Sequence, residues 1–216
     1  MRDDLADRLQ RCYSGAVFDV LRGRGTADTV LAPGIAPLDP GRRLAGPVFT
    51  MRGRPAPGAD PHETLLAWTG FLSQAPAGHV VVCEGNDRTR ALMGELSAET
   101  LHRKGVRGYV TDGGCRDCGF ILELGFPVFC GFRTPRDVVG AWLPEAFEVE
   151  VALGDVAVRH GDWLIGDVDG VVVVPGAIAP EVVEEVERVM RTESLVRKAI
   201  LEGVDPREAY LRHGKF

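Results

Sequence analysis

Residues 80–130 read VVVCEGNDRTRALMGELSAETLHRKGVRGYVTDGGCRDCGFILELGFPVFC, and strand and helix patterns alternate along them. The apolar runs at 80–84, 107–111 and 127–130 have strand length. Helical spacing separates them within 90–104 and again over 117–124. The order is therefore βαβαβ. Crossovers of this kind are right-handed and build a parallel sheet, so the loops 85–89, 112–116 and 131–137 gather at its carboxyl edge. A ligand site is expected there.

Outward from this unit, residues 3–22 carry Leu5, Leu9, Cys12, Ala16 and Val20 at helical spacing, with a break expected near Gly15. The stretch 26–58 is rich in Pro and Gly and reads as irregular β structure, followed by a short helix over 62–74. Beyond Gly140 the pattern predicts strands at 147–152, 163–165 and 171–174, the last two joined in a hairpin by Asp167-Val168-Asp169-Gly170. A long helix over 180–202 follows Pro180, and a short one follows Asp205-Pro206. No repeat or linker interrupts the chain, so a single α/β domain over 1–216 is expected.

The 216 residues are 45% hydrophobic and 26% charged, which suits a globular core and excludes disordered and fibrous classes. A net charge of -6 gives no global attraction for a polyanion, so no nucleic acid partner is expected. The longest apolar runs fall far short of the roughly 20 residues a membrane span needs, so no membrane partner is expected either. Met1-Arg2-Asp3-Asp4 opens on charge rather than on an apolar segment, and five cysteines are too few and too odd for a disulfide framework. A cytoplasmic protein with reduced thiols is the expectation.

Asp112-Gly113-Gly114-Cys115-Arg116-Asp117 falls in the second of the carboxyl-edge loops. Its glycines permit close backbone approach, and Arg116 and Asp117 set a fixed cation beside a hard-metal ligand, a pairing suited to an anionic, metal-chelating small molecule. A tight turn with a surface ion pair is the plainer alternative. Gly94-Glu95-Leu96-Ser97 opens the helix after the first strand, where free N–H groups could receive a carboxylate, although Glu95 also simply favours a first helical turn. Cys115 and Cys118 form a C-x-x-C that could be half a zinc site or a redox pair, but small packing residues explain them as well. The histidines show no zinc-hydrolase spacing, and the phosphate-loop, dinucleotide and nucleophile-elbow motifs are absent.

Gly94-Glu95, twenty intervening residues and then Arg116-Asp117 resemble the RraA-like family, in particular its 4-hydroxy-4-methyl-2-oxoglutarate/4-carboxy-4-hydroxy-2-oxoadipate aldolases. Gly125-Phe126-Pro127-Val128-Phe129, Thr134-Pro135, Gly161-Asp162-Trp163 and the run from Asp169 to Pro175 extend the resemblance over most of the chain. It implies a ββα swivelling-domain sandwich, a homotrimer or dimer of trimers, and Mg²⁺ or Mn²⁺ as cofactor. Carried onto these residues, Asp117 would ligate the metal and Arg116 would bind the pyruvyl part of a 2-oxo acid substrate. The Gly94–Ser97 backbone, with the Leu96 and Ser97 amides foremost, would receive its carboxylate. Glu95 would hold water beside the metal, and Glu193 of a neighbouring subunit would support it.

The chemistry implied is cleavage of a carbon–carbon bond beta to a keto group, with the resulting enolate stabilised by a hard cation and by Arg116. Oxaloacetate decarboxylation gives the same enolate and is the expected side activity. Many of these aldolases carry Asp where this chain has Glu95, a difference of one methylene. Cys118, Phe132 and Arg133 match no substrate-defining pattern. The family also contains non-catalytic regulators that bind a ribonuclease, which is the alternative function; such regulators generally lack the acidic residue at position 95.

Overall fold

The computed structural model describes residues 2–26 and 28–214, with the side chains of residues 2–4 excluded. The charged opening Met1-Arg2-Asp3-Asp4, on which the cytoplasmic expectation partly rests, thus lies largely outside the described residues. In chain order the elements are α1 (Arg2–Arg11), α2 (Ser14–Gly23), β1 (Ala36–Pro37), β2 (Leu44–Pro55), α3 (Pro61–Gln74), β3 (Val80–Glu84), α4 (Glu95–Arg103), β4 (Gly108–Thr111), β5 (Gly114–Cys115) and α5 (Cys118–Leu124). There follow β6 (Val128–Cys130), β7 (Phe132–Arg133), β8 (Trp142–Phe147), β9 (Val151–Leu153), β10 (Val156–Val158), β11 (Trp163–Asp167), β12 (Gly170–Val174), α6 (Ala179–Leu201) and α7 (Pro206–His213).

The main sheet runs β1-β6-β4-β3-β2-β11-β12, with β8 also on β2. Strands β2, β3, β4 and β6 are parallel, as the βαβαβ reading requires. The sheet nearly closes on itself. Thr29 and Leu31 bond to β12, and β1 a few residues later pairs with β6 at the other end. Alternate strand residues therefore face either a closed interior or an outer helical layer. Val80, Val82, Val110, Phe129 and Leu164 fill the interior. Val81, Cys83, Tyr109 and Val128 face outward under Phe71, Leu101 and Ile121 of α3, α4 and α5. On the antiparallel side, Trp163, Ile165 and Val172 pack against α1, α2 and α6.

The structure corrects the sequence reading in three places. The Pro- and Gly-rich segment is irregular only in part: its described residues before Leu44 are mostly turns and bends around the short β1, but β2 is a 12-residue strand at the centre of the sheet. It pairs with β11 over Leu44–Pro47, with β3 over Val48–Arg52 and with β8 over Met51–Pro55, with a register shift at Arg52/Gly53. Its glycines and prolines sit where partners change. The single strand expected over 147–152 is two, because the chain turns at Glu148, which has φ 56°. The helix break lies at Cys12-Tyr13 rather than Gly15. Buried Asp167 accepts from Ser14 N–H (2.8 Å) and Ser14 Oγ (2.7 Å), which starts α2 at Ser14.

Two helix starts carry side-chain caps. Asp60 accepts from His62 and Glu63 N–H to cap α3, and Asp205 does the same for α7 from Arg207 and Glu208. Among the described residues no helix is long and apolar enough to cross a membrane.

Candidate active site

The loops after β3, β4 and β6 are laced together at the carboxyl edge. Asp112 Oδ1 accepts from Gly85 N–H (2.7 Å), Arg90 C=O from Gly114 N–H (2.9 Å), Gly113 C=O from Gly131 N–H (2.9 Å), and Arg136 C=O from Ala91 N–H (2.8 Å). The close packing explains the Gly113-Gly114 pair. A Cβ on Gly114 would lie 2.9 Å from Arg90 O and 2.7 Å from the Phe132 ring, and one on Gly113 2.5 Å from Leu92. This lattice delivers Arg116 and Asp117, with Arg116 N–H bonded to Met93 C=O (2.9 Å).

Asp117 takes the N-cap position of α5 without capping it. Its φ of 53° and ψ of 34° are left-handed, a conformation Asp tolerates better than most residues but at a cost of about 1–3 kcal/mol. The side chain of an N-cap Asp ordinarily accepts N–H bonds from its own helix, and the Asp117 carboxylate makes none. Its Oδ2 instead meets Arg116 Nε (3.1 Å) and the Glu95 N–H (3.4 Å). Arg116 is held from its other end by Asp137 Oδ2 to Nη1 (3.1 Å). Burial alone would lower the guanidinium's pKa, but Asp117 and Asp137 outweigh it and hold the group above its ordinary value.

These groups line a cavity of about 450 Å³ whose floor is the N-terminus of α4. Gly94 at its N-cap lets the two chains approach, since a Cβ there would lie 2.9 Å from Asp117 Oδ2. The first intrahelical bond is Ala98 N–H to Gly94 C=O, so Leu96 and Ser97 N–H have no acceptor inside the helix. Ser97 Oγ accepts from Trp68 Nε1 (2.9 Å), which fixes the indole in the opposite wall. The structure thus brings Gly94, Glu95, Leu96, Ser97, Arg116 and Asp117 into one cavity.

Glu193 is not among them. Within this chain it accepts from the Tyr13 hydroxyl and lines a separate hollow with Val196, Arg197 and Ile200. Sequence reasoning missed Asp137, which no motif marks, and Trp68, whose helical spacing reads as core. Arg133, Cys115 and Cys118 line a second groove on the other side of Arg116-Asp117. The neighbouring Cys130 thiol, together with burial, raises the pKa of the Cys115 thiol, while Cys115 and Arg133 lower that of Cys130.

Among the described residues no three His, Cys, Asp or Glu side chains are grouped to hold a metal ion. Asp117 and Glu95 share the cavity wall as hard-oxygen donors, while Asp137 in the same lining is engaged by Arg116. That donor set fits Mg²⁺ or Mn²⁺, since Mg²⁺ commonly takes one or two carboxylates and completes its shell with water and substrate.

A clamped guanidinium, an uncapped carboxylate and an open helix N-terminus around one small, partly open cavity make a site suited to an anionic small molecule. The chain belongs to the RraA-like family (Aldolase/RraA), whose pattern matches residues 14–173. It is 28% identical over 208 residues, 96% of this chain and 94% of the other, to a Halalkalibacterium halodurans protein named "Putative 4-hydroxy-4-methyl-2-oxoglutarate aldolase". Among solved structures, an uncharacterized Pseudomonas syringae protein superposes with a TM-score of 0.88 at 26% identity, covering 98% of this chain and 95% of that one. Streptomyces coelicolor RraAS2, described as an unusual member of the RNase ES inhibitor RraA protein family, gives a TM-score of 0.79 at 30% identity, covering 90% and 97%. The RraA-like fold expected from the sequence is therefore the fold found.

Proposed function

We propose that this protein is a divalent-metal-dependent lyase that cleaves a 4-hydroxy-2-oxo acid, such as 4-hydroxy-4-methyl-2-oxoglutarate, to pyruvate and a second carbonyl compound. Oxaloacetate decarboxylation is its side reaction at the same site. The carrying observation is Asp117, which takes a left-handed backbone and forgoes its own helix cap while its carboxylate lies with Arg116 in the cavity. Family membership and the name of the Halalkalibacterium relative support the same reading.

Asp117, with Glu95 near it, would hold Mg²⁺ or Mn²⁺, which supplies Lewis-acid polarisation of the 2-oxo group when bound. The Leu96 and Ser97 N–H groups receive the substrate carboxylate at the positive end of α4. Arg116 faces the oxygen on which negative charge develops, and its clamping by Asp117 and Asp137 means that little reorganisation is needed. Glu95 takes the proton of the C4 hydroxyl through a water. The C3–C4 bond breaks, C4 becomes the carbonyl of the departing product, and the electron pair passes to the enolate of pyruvate. Protonation at C3 then releases pyruvate. With oxaloacetate the same bond breaks and carbon dioxide leaves. A homotrimer or dimer of trimers, with Glu193 of a neighbouring subunit beside the site, belongs to the same proposal.

The test is pyruvate release from oxaloacetate, 4-hydroxy-4-methyl-2-oxoglutarate and 4-hydroxy-2-oxohexanoate, with Mg²⁺ or Mn²⁺ and again with EDTA, in the wild type and Asp117→Ala. The expected result is EDTA-sensitive release that Asp117→Ala eliminates. A folded, metal-supplied protein that releases none from any of the three overturns the proposal in favour of a ribonuclease-binding regulator.

A further inference from the structure

Cys115 and Cys118 stand on either side of Arg116-Asp117, so the C-x-x-C encloses the two residues on which the cavity depends. The fold turns their side chains onto the same short stretch of chain. Cys118 Sγ bends back to 3.8 Å from the Cys115 C=O, Cys115 Sγ lies 3.5 Å from the Arg116 C=O, and both residues line the second groove, of about 300 Å³. Cys130 adds a third thiol next to Cys115 in the same core cluster.

The three thiols are free but differ in access. Cys115 and Cys130 are buried, whereas Cys118 is half-buried on the groove wall. An oxidant entering the groove therefore meets Cys118 first and leaves Cys115 beside it as the resolving thiol. Arg133, exposed in the same lining, presents a cation to an anionic oxidant. The bond between the two sulfurs would also act on the cavity. A disulfide fixes its sulfurs about 2 Å apart, and here it would close over Arg116 and Asp117 alone. Arg116 N–H is tied to Met93 C=O and Asp117 holds a left-handed backbone, so tightening this turn moves the mounting of both side chains.

We infer that Cys118 and Cys115 form a reversible disulfide that switches the cavity off, with a low-molecular-weight disulfide such as oxidised glutathione as the oxidant. The Cys118 thiol gives up its proton to water, and its sulfur attacks one sulfur of oxidised glutathione, expelling one glutathione thiolate and leaving a mixed disulfide. The Cys115 thiol loses its proton in turn, and its sulfur attacks Cys118 Sγ and expels the second glutathione. Two protein thiols are oxidised, the glutathione disulfide is reduced, and the two protons end on the two released thiols. Excess reduced thiol runs the exchange backwards. The device acts on whatever the cavity binds and so goes beyond the lyase reading.

The experiment equilibrates the Mg²⁺-supplied wild type, Cys118→Ser and Cys130→Ser with oxidised and reduced glutathione over a range of ratios. Free thiols are then alkylated, disulfides are mapped by peptide mass, and pyruvate release is measured before and after dithiothreitol. The wild type and Cys130→Ser are expected to yield the Cys115–Cys118 peptide pair and to lose about tenfold or more in pyruvate release, which dithiothreitol restores. Cys118→Ser should keep the reduced rate at every ratio. Absence of the Cys115–Cys118 bond in the wild type, a bond from Cys115 to Cys130 in its place, or an oxidised wild type with its full rate overturns the inference. A protein that forms the bond but releases no pyruvate in either state removes the lyase reading and leaves the disulfide standing.

Discussion

Replacing Gly94 by Ala tests whether the approach of α4 to Arg116-Asp117 matters for function. Gly94 has φ -151° and ψ 177°, extended backbone that Ala adopts freely, so the effect is steric alone. The added Cβ would lie 2.9 Å from Asp117 Oδ2, 3.1 Å from Arg116 Cγ and 3.4 Å from Arg116 Nε. Ordinary contact requires the Arg116-Asp117 pair to retreat by about half an ångström, near the tolerance of a productive catalytic geometry. Overpacking of this kind costs about 1–2 kcal/mol of stability, less than most folded domains hold in reserve. Misplacement by up to about an ångström costs as much as 10²-fold in rate, so kcat/KM for pyruvate release should fall by about 10- to 100-fold. Gly119→Ala is the control. It lies in α5 with nothing within 4 Å of its Cβ, and Ala there should be neutral or stabilise by about 0.5–1 kcal/mol. Steady-state kinetics and thermal melts of both variants read the outcome. Wild-type kcat/KM in a folded Gly94→Ala protein would refute the reasoning.

Arg116→Lys keeps the charge but cannot span Asp117 and Asp137 at once, and should lower kcat/KM by about 10²-fold in the same assay without moving the melting temperature by more than a few degrees. Asp87 is buried. Burial alone would raise its pKa, but the hydrogen bonds from Thr89 and Arg90 outweigh this and hold it below the ordinary carboxylate value. Its stabilisation is therefore complete above the unfolded-state pKa and lost as pH falls through the depressed folded value. Asp87→Asn should cost about 1–3 kcal/mol in denaturant melts at pH 7, and the gap should narrow on acidification below about pH 4; a constant gap refutes the assignment. Trp142→Phe removes the buried bond from Nε1 to Gly85 C=O (2.6 Å) and should cost about 1–3 kcal/mol, which calorimetry would show as a drop of about 2–4 °C per kcal/mol.

The parallel unit was legible because its strands are buried on both faces and read as unbroken apolar runs, such as Val80-Val81-Val82-Cys83. Once βαβαβ was set, the parallel direction of its strands placed Asp112–Asp117 at the carboxyl edge, where the cavity lies. Local composition misled at β2, whose Gly46, Pro47, Gly53 and Pro55 resemble loop punctuation. A Cβ at Gly53 would lie 1.9 Å from the Trp142 ring, so the glycine answers to a residue 89 positions away. The start of α2 escaped notice for the same reason, since its cap is Asp167 across the fold. Asp137 and Trp68 become site residues only when the loop after β7 and helix α3 reach α4. The resemblance to the family named Arg116 and Asp117. The geometry adds the Asp137 clamp.

The central claim is that this cavity forms the enolate of pyruvate with the help of Asp117 and a divalent cation. Incubating the protein with pyruvate and Mg²⁺ in D₂O, and following the methyl protons by NMR, tests it without knowledge of the native substrate. The account predicts replacement of the C3 protons by deuterium that EDTA suppresses and Asp117→Ala abolishes. Exchange no faster than in buffer, or unchanged exchange in folded Asp117→Ala, would contradict it.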